Sequence, residues 1–138
     1  MSPAPKTTLL FHTRNRPSFL LRALDNFSRS GRQSEIDVIV LDASTEALSQ
    51  EFQDGLSRRN FDFKVNVLRS TPSAPFQTRF RDALETFDTP FVVLAADDDI
   101  YFFDWMAEAV ALLESEPSMG TVYGHVLSFQ LEAFVPYG

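Results

Sequence analysis

No cysteine occurs in the 138 residues, which removes disulfides, thiolate metal sites and cysteine nucleophiles together. Basic residues are the minority charge: 12 Lys and Arg against 19 Asp and Glu give a net charge of −7. That balance argues against a nucleic-acid backbone as the main partner, which usually demands a basic surface. It leaves room for a nucleotide, whose diphosphate needs only a local positive patch or a metal. No apolar run approaches the roughly 20 residues of a membrane span, and Met1-Ser2-Pro3-Ala4-Pro5-Lys6 lacks the apolar core of a signal peptide. The expectation is a soluble, cytoplasmic protein. Tryptophan is nearly absent, at one residue beside 14 phenylalanines, so the core rings mostly lack a polar tip.

What is present suffices for one domain over residues 1–138, with 44% hydrophobic side chains to bury. The most informative stretch is Phe91-Val92-Val93-Leu94-Ala95-Ala96-Asp97-Asp98-Asp99, an apolar run ending abruptly in carboxylates. An uninterrupted β-favouring run of this kind predicts a strand covered on both faces. If the extended backbone continues to Asp99, then Asp97 and Asp99 point to one side and Asp98 to the other, the like-facing pair roughly 6 to 7 Å apart. Clustered carboxylates repel, by about 1 kcal/mol per pair at 4 Å in water and about 4 kcal/mol at an effective dielectric of 20. They therefore ask for a cation, and a divalent metal suits them; a solvated acidic turn capping the next helix is the plain alternative.

The rest of the chain alternates strands and helices. Thr7 to His12 predicts a first strand, followed by the basic loop Thr13-Arg14-Asn15-Arg16-Pro17. Pro17 suits the first turn of a helix, with Ser18 as an alternative cap, carrying Leu20, Leu24 and Phe27 on one face and ending near Gly31. Ile36 to Leu41 predicts a central strand that also ends in an acid, Asp42. Ser44 or Thr45 is expected to cap a helix bearing Leu48, Phe52 and Leu56, which competes with ligand contact as the role of these hydroxyls. Phe61, Phe63, Val65 and Val67 alternate with polar residues, as in a half-exposed edge strand. Phe76, Phe80, Ala83, Leu84 and Phe87 then outline a helix, with Arg79 and Arg81 off its apolar stripe. After the acids, Asp104 is the expected N-cap of a helix with Met106, Ala109, Val110 and Leu113 inward, and Gly120 to Phe129 reads as a further strand.

This alternation predicts an α/β fold: a Rossmann-like, mostly parallel sheet between two helical layers, with right-handed crossovers. The natural strand order is 3-2-1-4 with a further strand. Winding then reverses between the first and fourth strands, where open α/β sheets bind ligands. The Arg14 loop and the Asp97 cluster meet there.

Thr13-Arg14-Asn15-Arg16-Pro17 after a first strand, Asp42-Ala43-Ser44 after a second, and Asp97-Asp98-Asp99 after a buried one resemble a known family. They resemble, in that order and over nearly the whole chain, the nucleotide-sugar-binding half of GT-A fold, family 2 type glycosyltransferases. The resemblance implies that Thr13, Arg14 and Arg16 lie against the nucleotide and that Asp42, with Ser44 beside it, meets the base. It implies that Asp97 approaches the ribose, that Asp97 and Asp99 hold Mn²⁺ or Mg²⁺ on the diphosphate, with Asp98 between them, and that Arg79 or Arg81 adds charge. The donor would be a UDP- or GDP-linked sugar and the acceptor is unassigned. Such a metal makes the nucleoside diphosphate a better leaving group.

The chain departs from the family's pattern in two places. Pro72-Ser73-Ala74-Pro75 stands where a glycine is common, and the acceptor-binding half with its general base is expected to be largely missing. No base is assigned among Asp104, Glu108, Glu114, Glu116 and Glu132, and His125 reads as a strand residue. A second expectation is a non-catalytic donor-binding or interaction domain, with self-association replacing the missing surface. A receiver-like or phosphatase-like domain fits less well, because its acids would follow the first strand, where Thr13 and Arg14 stand.

Overall fold

The computed structural model describes residues 4–126. Four parallel strands, β1 (Thr7–Thr13), β2 (Ile36–Asp42), β3 (Val65–Arg69) and β4 (Phe91–Ala96), form one sheet in the order β3-β2-β1-β4. The helices α1 (Pro17–Ser28), α2 (Glu46–Ser57), α3 (Phe76–Leu84) and α4 (Phe103–Ser115) alternate with them. The α/β architecture and the 3-2-1-4 order are those the alternation predicts.

The two faces of the sheet are packed differently because side chains alternate along each strand. Leu9 and Phe11 of β1, Val38 and Val40 of β2 and Ala95 of β4 share one core with α1, α2 and the start of α4. Within it Leu20, Leu24 and Phe27 of α1 are fully buried, and Phe27 packs edge-on to Phe63 at 4.7 Å between ring centroids. Proline at the first helical position costs α1 nothing, since that N–H has no intrahelical acceptor in any helix. Leu10, Ile39 and Leu41 point to the other face, where Phe76, Phe80 and Ala83 of α3 cover them. Helices therefore lie on both sides of the sheet: α1, α2 and the start of α4 on one, and α3, which connects β3 to β4, on the other.

Several local expectations are corrected. Pairing of β3 with β2 begins only at Val65, opposite Val38. Phe61 and Phe63 precede the strand and stack on each other at 4.8 Å, so their alternation reflects ring packing and not pleating. β4 is not covered on both faces: Val92 is 39% exposed and Leu94 52%, because α3 sits over β2 and leaves this part of the sheet open. Leu84 is also exposed. Among the described residues no helix start carries a side-chain cap hydrogen bond: Thr45 occupies the N-cap of α2 without one, and Phe102 precedes α4, leaving Asp104 in the first turn paired to Arg32. Among the described residues no strand follows β4, so Gly120 to Val126, His125 included, is not strand; the remainder of that expected strand lies outside the described residues.

Candidate functional site

The register brings the carboxyl ends of the strands into a row, with Thr13 opposite Asp42, Asp42 opposite Arg69, and His12 opposite Ala96, just before Asp97. Each end is then tied to its neighbour. The Thr13 hydroxyl donates to Asp97 Oδ2 at 2.6 Å, and both residues are buried. Arg16 Nη1 donates to Asp98 Oδ2 at 2.7 Å and lies 3.4 Å from Asp97 Oδ1. The Asp98 hydrogen bond, followed by the charges of Asp97 and Asp98, raises the Arg16 pKa above its ordinary value. The reversal between β1 and β4 thus joins the first loop to the acids.

Asn15, between the two arginines, positions that loop. It adopts φ 59°, a left-handed conformation that asparagine tolerates better than most residues. Its backbone N–H donates to the Ser44 hydroxyl at 2.8 Å, and its side-chain carbonyl accepts from the Thr45 amide at 2.9 Å. Ser44 therefore serves as a loop clamp and not as a helix cap. Arg14, by contrast, is exposed and forms no ion pair among the described residues.

Asp42 is 1% exposed and well supplied with donors. The Ser44 amide reaches Oδ1 at 2.8 Å, while the Ser49 hydroxyl at 2.6 Å and Arg69 Nη1 at 3.3 Å reach Oδ2. Arg69 also bonds Glu46 at 3.0 Å. Donors on both oxygens fix the orientation of this buried carboxylate and tie the start of α2 to the end of β3. Arg69, at 36% side-chain exposure, and Glu46, at 90%, carry this network out to solvent.

The backbone at the acids is not the extended one that the spacing suggests. β4 stops at Ala96, and Asp97 and Asp98 form a turn. Consecutive acids therefore share one cation, Arg16, while Asp99 is engaged by the Tyr101 hydroxyl at 3.2 Å. That hydroxyl also accepts from the Ala96 amide at 2.7 Å. Burial, more than the nearby acids, raises the Tyr101 pKa above its usual 10.0.

Arg79 lies on α3, across the sheet, with its guanidinium 5.8 Å from the Phe76 ring centroid. Its Nε and Nη1 are buried without an acceptor among the described residues. Donors left this way cost free energy until something accepts from them. Arg81 is spent on Asp82.

Sequence reasoning therefore locates Thr13, Arg16, Asp97 and Asp98 in one contact group, and Asp42 with Ser44 in a second. It misses Asn15, Ser49, Arg69 and Tyr101. Only Arg69 left a signal, being the last residue of a strand whose neighbour ends in Asp42.

No three His, Asp or Glu side chains among the described residues converge on a metal position by themselves. A hard divalent ion on a diphosphate needs only one or two carboxylates, the phosphates supplying further oxygens. Two carboxylates sharing one cationic nitrogen satisfy that requirement.

With this geometry in hand, the family is assigned: residues 9–135 match glycosyl transferase family 2, and the chain belongs to it. No curated protein matches the chain. Among solved structures it is similar to the mannosyltransferase PcManGT from Pyrobaculum calidifontis, in complex with GDP-Man and Mn²⁺. The TM-score is 0.67 at 21% identity over 81% of this chain. It is likewise similar to S. aureus TarS 1-349 in complex with UDP-GlcNAc, at a TM-score of 0.61 and 22% identity over 81% of this chain. The chain spans about a third of the length of each, 33% and 32%. The shared fold is the GT-A arrangement. No helix among the described residues is long and apolar enough to cross a membrane.

Proposed function

We propose that the chain binds a nucleoside-diphosphate sugar through a divalent metal and serves as the donor half of a sugar transferase. The observation that supports this best is the single cationic atom of Arg16 seated between Asp97 and Asp98 at the β1–β4 reversal. On this reading Asp97 and Asp99 would hold Mn²⁺ or Mg²⁺, with Asp98, the second residue of the turn, between them. Bound there, the metal would draw charge from the diphosphate and improve it as a leaving group. Thr13 holds Asp97 in place, and Arg14 and Arg16 are the loop cations available to phosphate. Asp42 holds Arg69 at the end of β3, where the partly exposed Arg69 would donate to the base, and Arg79, with N–H groups that lack an acceptor among the described residues, is the helix cation nominated for the nucleotide. The acceptor and the general base are left unassigned, and a cytoplasmic location belongs to the same proposal.

Titration with UDP and GDP, with and without Mn²⁺, tests the reading by calorimetry. Binding that requires the metal and is lost in Asp97→Asn is expected; wild-type protein that ignores the metal would sink it. A second reading, a donor-binding interaction domain without transfer, is favoured by the exposed apolar side chains Val92, Leu94, Phe102 and Trp105. Metal-dependent binding with neither transfer nor donor hydrolysis would select it.

A further inference from the structure

Arg16 Nη1 lies within ion-pair distance of both Asp97 and Asp98, 3.4 and 2.7 Å away, so it fills the space a small cation would take between them. It does not reach this place by chance. Pro17 starts α1 immediately after it, and Asn15 immediately before it is fixed to Ser44 and Thr45. The side chain itself is 51% exposed, with its guanidinium carbon 5.6 Å from the centroid of the Phe19 ring.

Two carboxylates on consecutive residues of a turn repel each other, and Asp97 has lost most of its water, with 6% side-chain exposure. Arg16 removes that repulsion. A divalent ion would take the same oxygens and repel the guanidinium, so the two cations exclude each other. A diphosphate arriving with the metal changes the balance, because its oxygens offer the displaced guanidinium a bidentate partner.

We propose that Arg16 is an internal counter-cation, holding the metal position between Asp97 and Asp98 until a metal-bound nucleoside diphosphate arrives, and then moving onto the phosphates. This rests on the reading of the acidic turn as a metal and diphosphate site. It makes metal and nucleotide mutually dependent ligands: the ion alone must compete with Arg16, whereas the ion with its diphosphate gives Arg16 somewhere to go.

The test measures Mn²⁺ binding to the full chain by electron paramagnetic resonance, without nucleotide and then with UDP or GDP. Arg16→Gln is expected to bind Mn²⁺ alone roughly two- to fivefold tighter than wild type, the scale of a partly exposed ion pair. It is also expected to lose most of the tightening that nucleotide produces. Arg16→Lys, which keeps the charge without the planar fork, should fall between the two, and it carries the test if the glutamine variant folds poorly. If wild type shows nucleotide-dependent Mn²⁺ binding but neither variant gains affinity for the bare ion, the counter-cation role is overturned and the metal site stands. If wild type binds no Mn²⁺ under either condition, both fall.

Discussion

Thr13 and Asp97, 84 residues apart in sequence, are joined by a buried 2.6 Å hydrogen bond that locks the end of β1 to the turn after β4. The acceptor is a carboxylate at 5% residue exposure, so water cannot replace the hydroxyl. Thr13→Val keeps the shape and removes the donor. It should cost about 1 to 3 kcal/mol, read from the urea midpoint, and weaken metal-dependent nucleotide binding, while Thr13→Ser should recover both. Unchanged stability in the valine variant would mean that Asp97 does not depend on this bond.

Gly55 is buried on α2 at the crossing with α1, and an added Cβ would run into Leu21 Cδ1. Alanine normally improves a helix by about 1 kcal/mol over glycine. Here overpacking, typically about 1 to 3 kcal/mol, opposes it. Gly55→Ala should lower the melting temperature despite its better propensity, and adding Leu21→Val should return part of the loss. A rise in melting temperature for the single variant would show that the Leu21 side chain turns aside at little cost.

Leu10 and Leu94 are partners in register on the same face of the sheet, yet one is 1% exposed and the other 52%. Leu10→Ala should cost about 3 kcal/mol and Leu94→Ala less than about 1 kcal/mol in denaturant unfolding. A comparable cost at both positions would show that Leu94 is covered in solution.

Tyr101 should ionise later than an ordinary phenol, since burial favours its neutral form. With its folded pKa raised, the folded state keeps a proton that the unfolded state gives up. Its contribution is therefore complete below the usual 10.0 and is lost as pH climbs beyond it. Phenolate absorbance followed against pH should show a late-titrating tyrosine that disappears in Tyr101→Phe, and that variant should lose less stability per pH unit in alkali. Early ionisation of every tyrosine would contradict the packing described.

Much of the fold was legible because it rests on period and order. Thr7 to His12 is a β-favouring run and Ile36 to Leu41 is apolar enough to be a central strand, and the acids after Leu41 and after Ala96 fall where parallel strands must deliver them. What was not legible depends on where elements stop. Nothing in Asp97-Asp98-Asp99 says that the extended backbone ends at Ala96, yet that decides which acids lie together. Phe61 and Phe63 carry a strand's period while serving as stacked rings, the second of which meets Phe27 edge-on. The open side of β4 follows from α3 sitting over β2, a placement no single strand can encode. Arg69 and Tyr101 belong to the site through register and reach, which emerge only once the sheet is assembled.

Asn15 uses its backbone amide and its side-chain carbonyl on the loop after β2, and its left-handed backbone turns Arg16 toward the acids. The two loops are in this sense one inherited part. A descendant that rebuilt the segment around Ser44 would unseat Arg16 as well, so successful changes at Asn15 and Ser44 should arrive as a pair. A grafting experiment that carries one loop without the other should give a folded chain whose acids have lost their occupant.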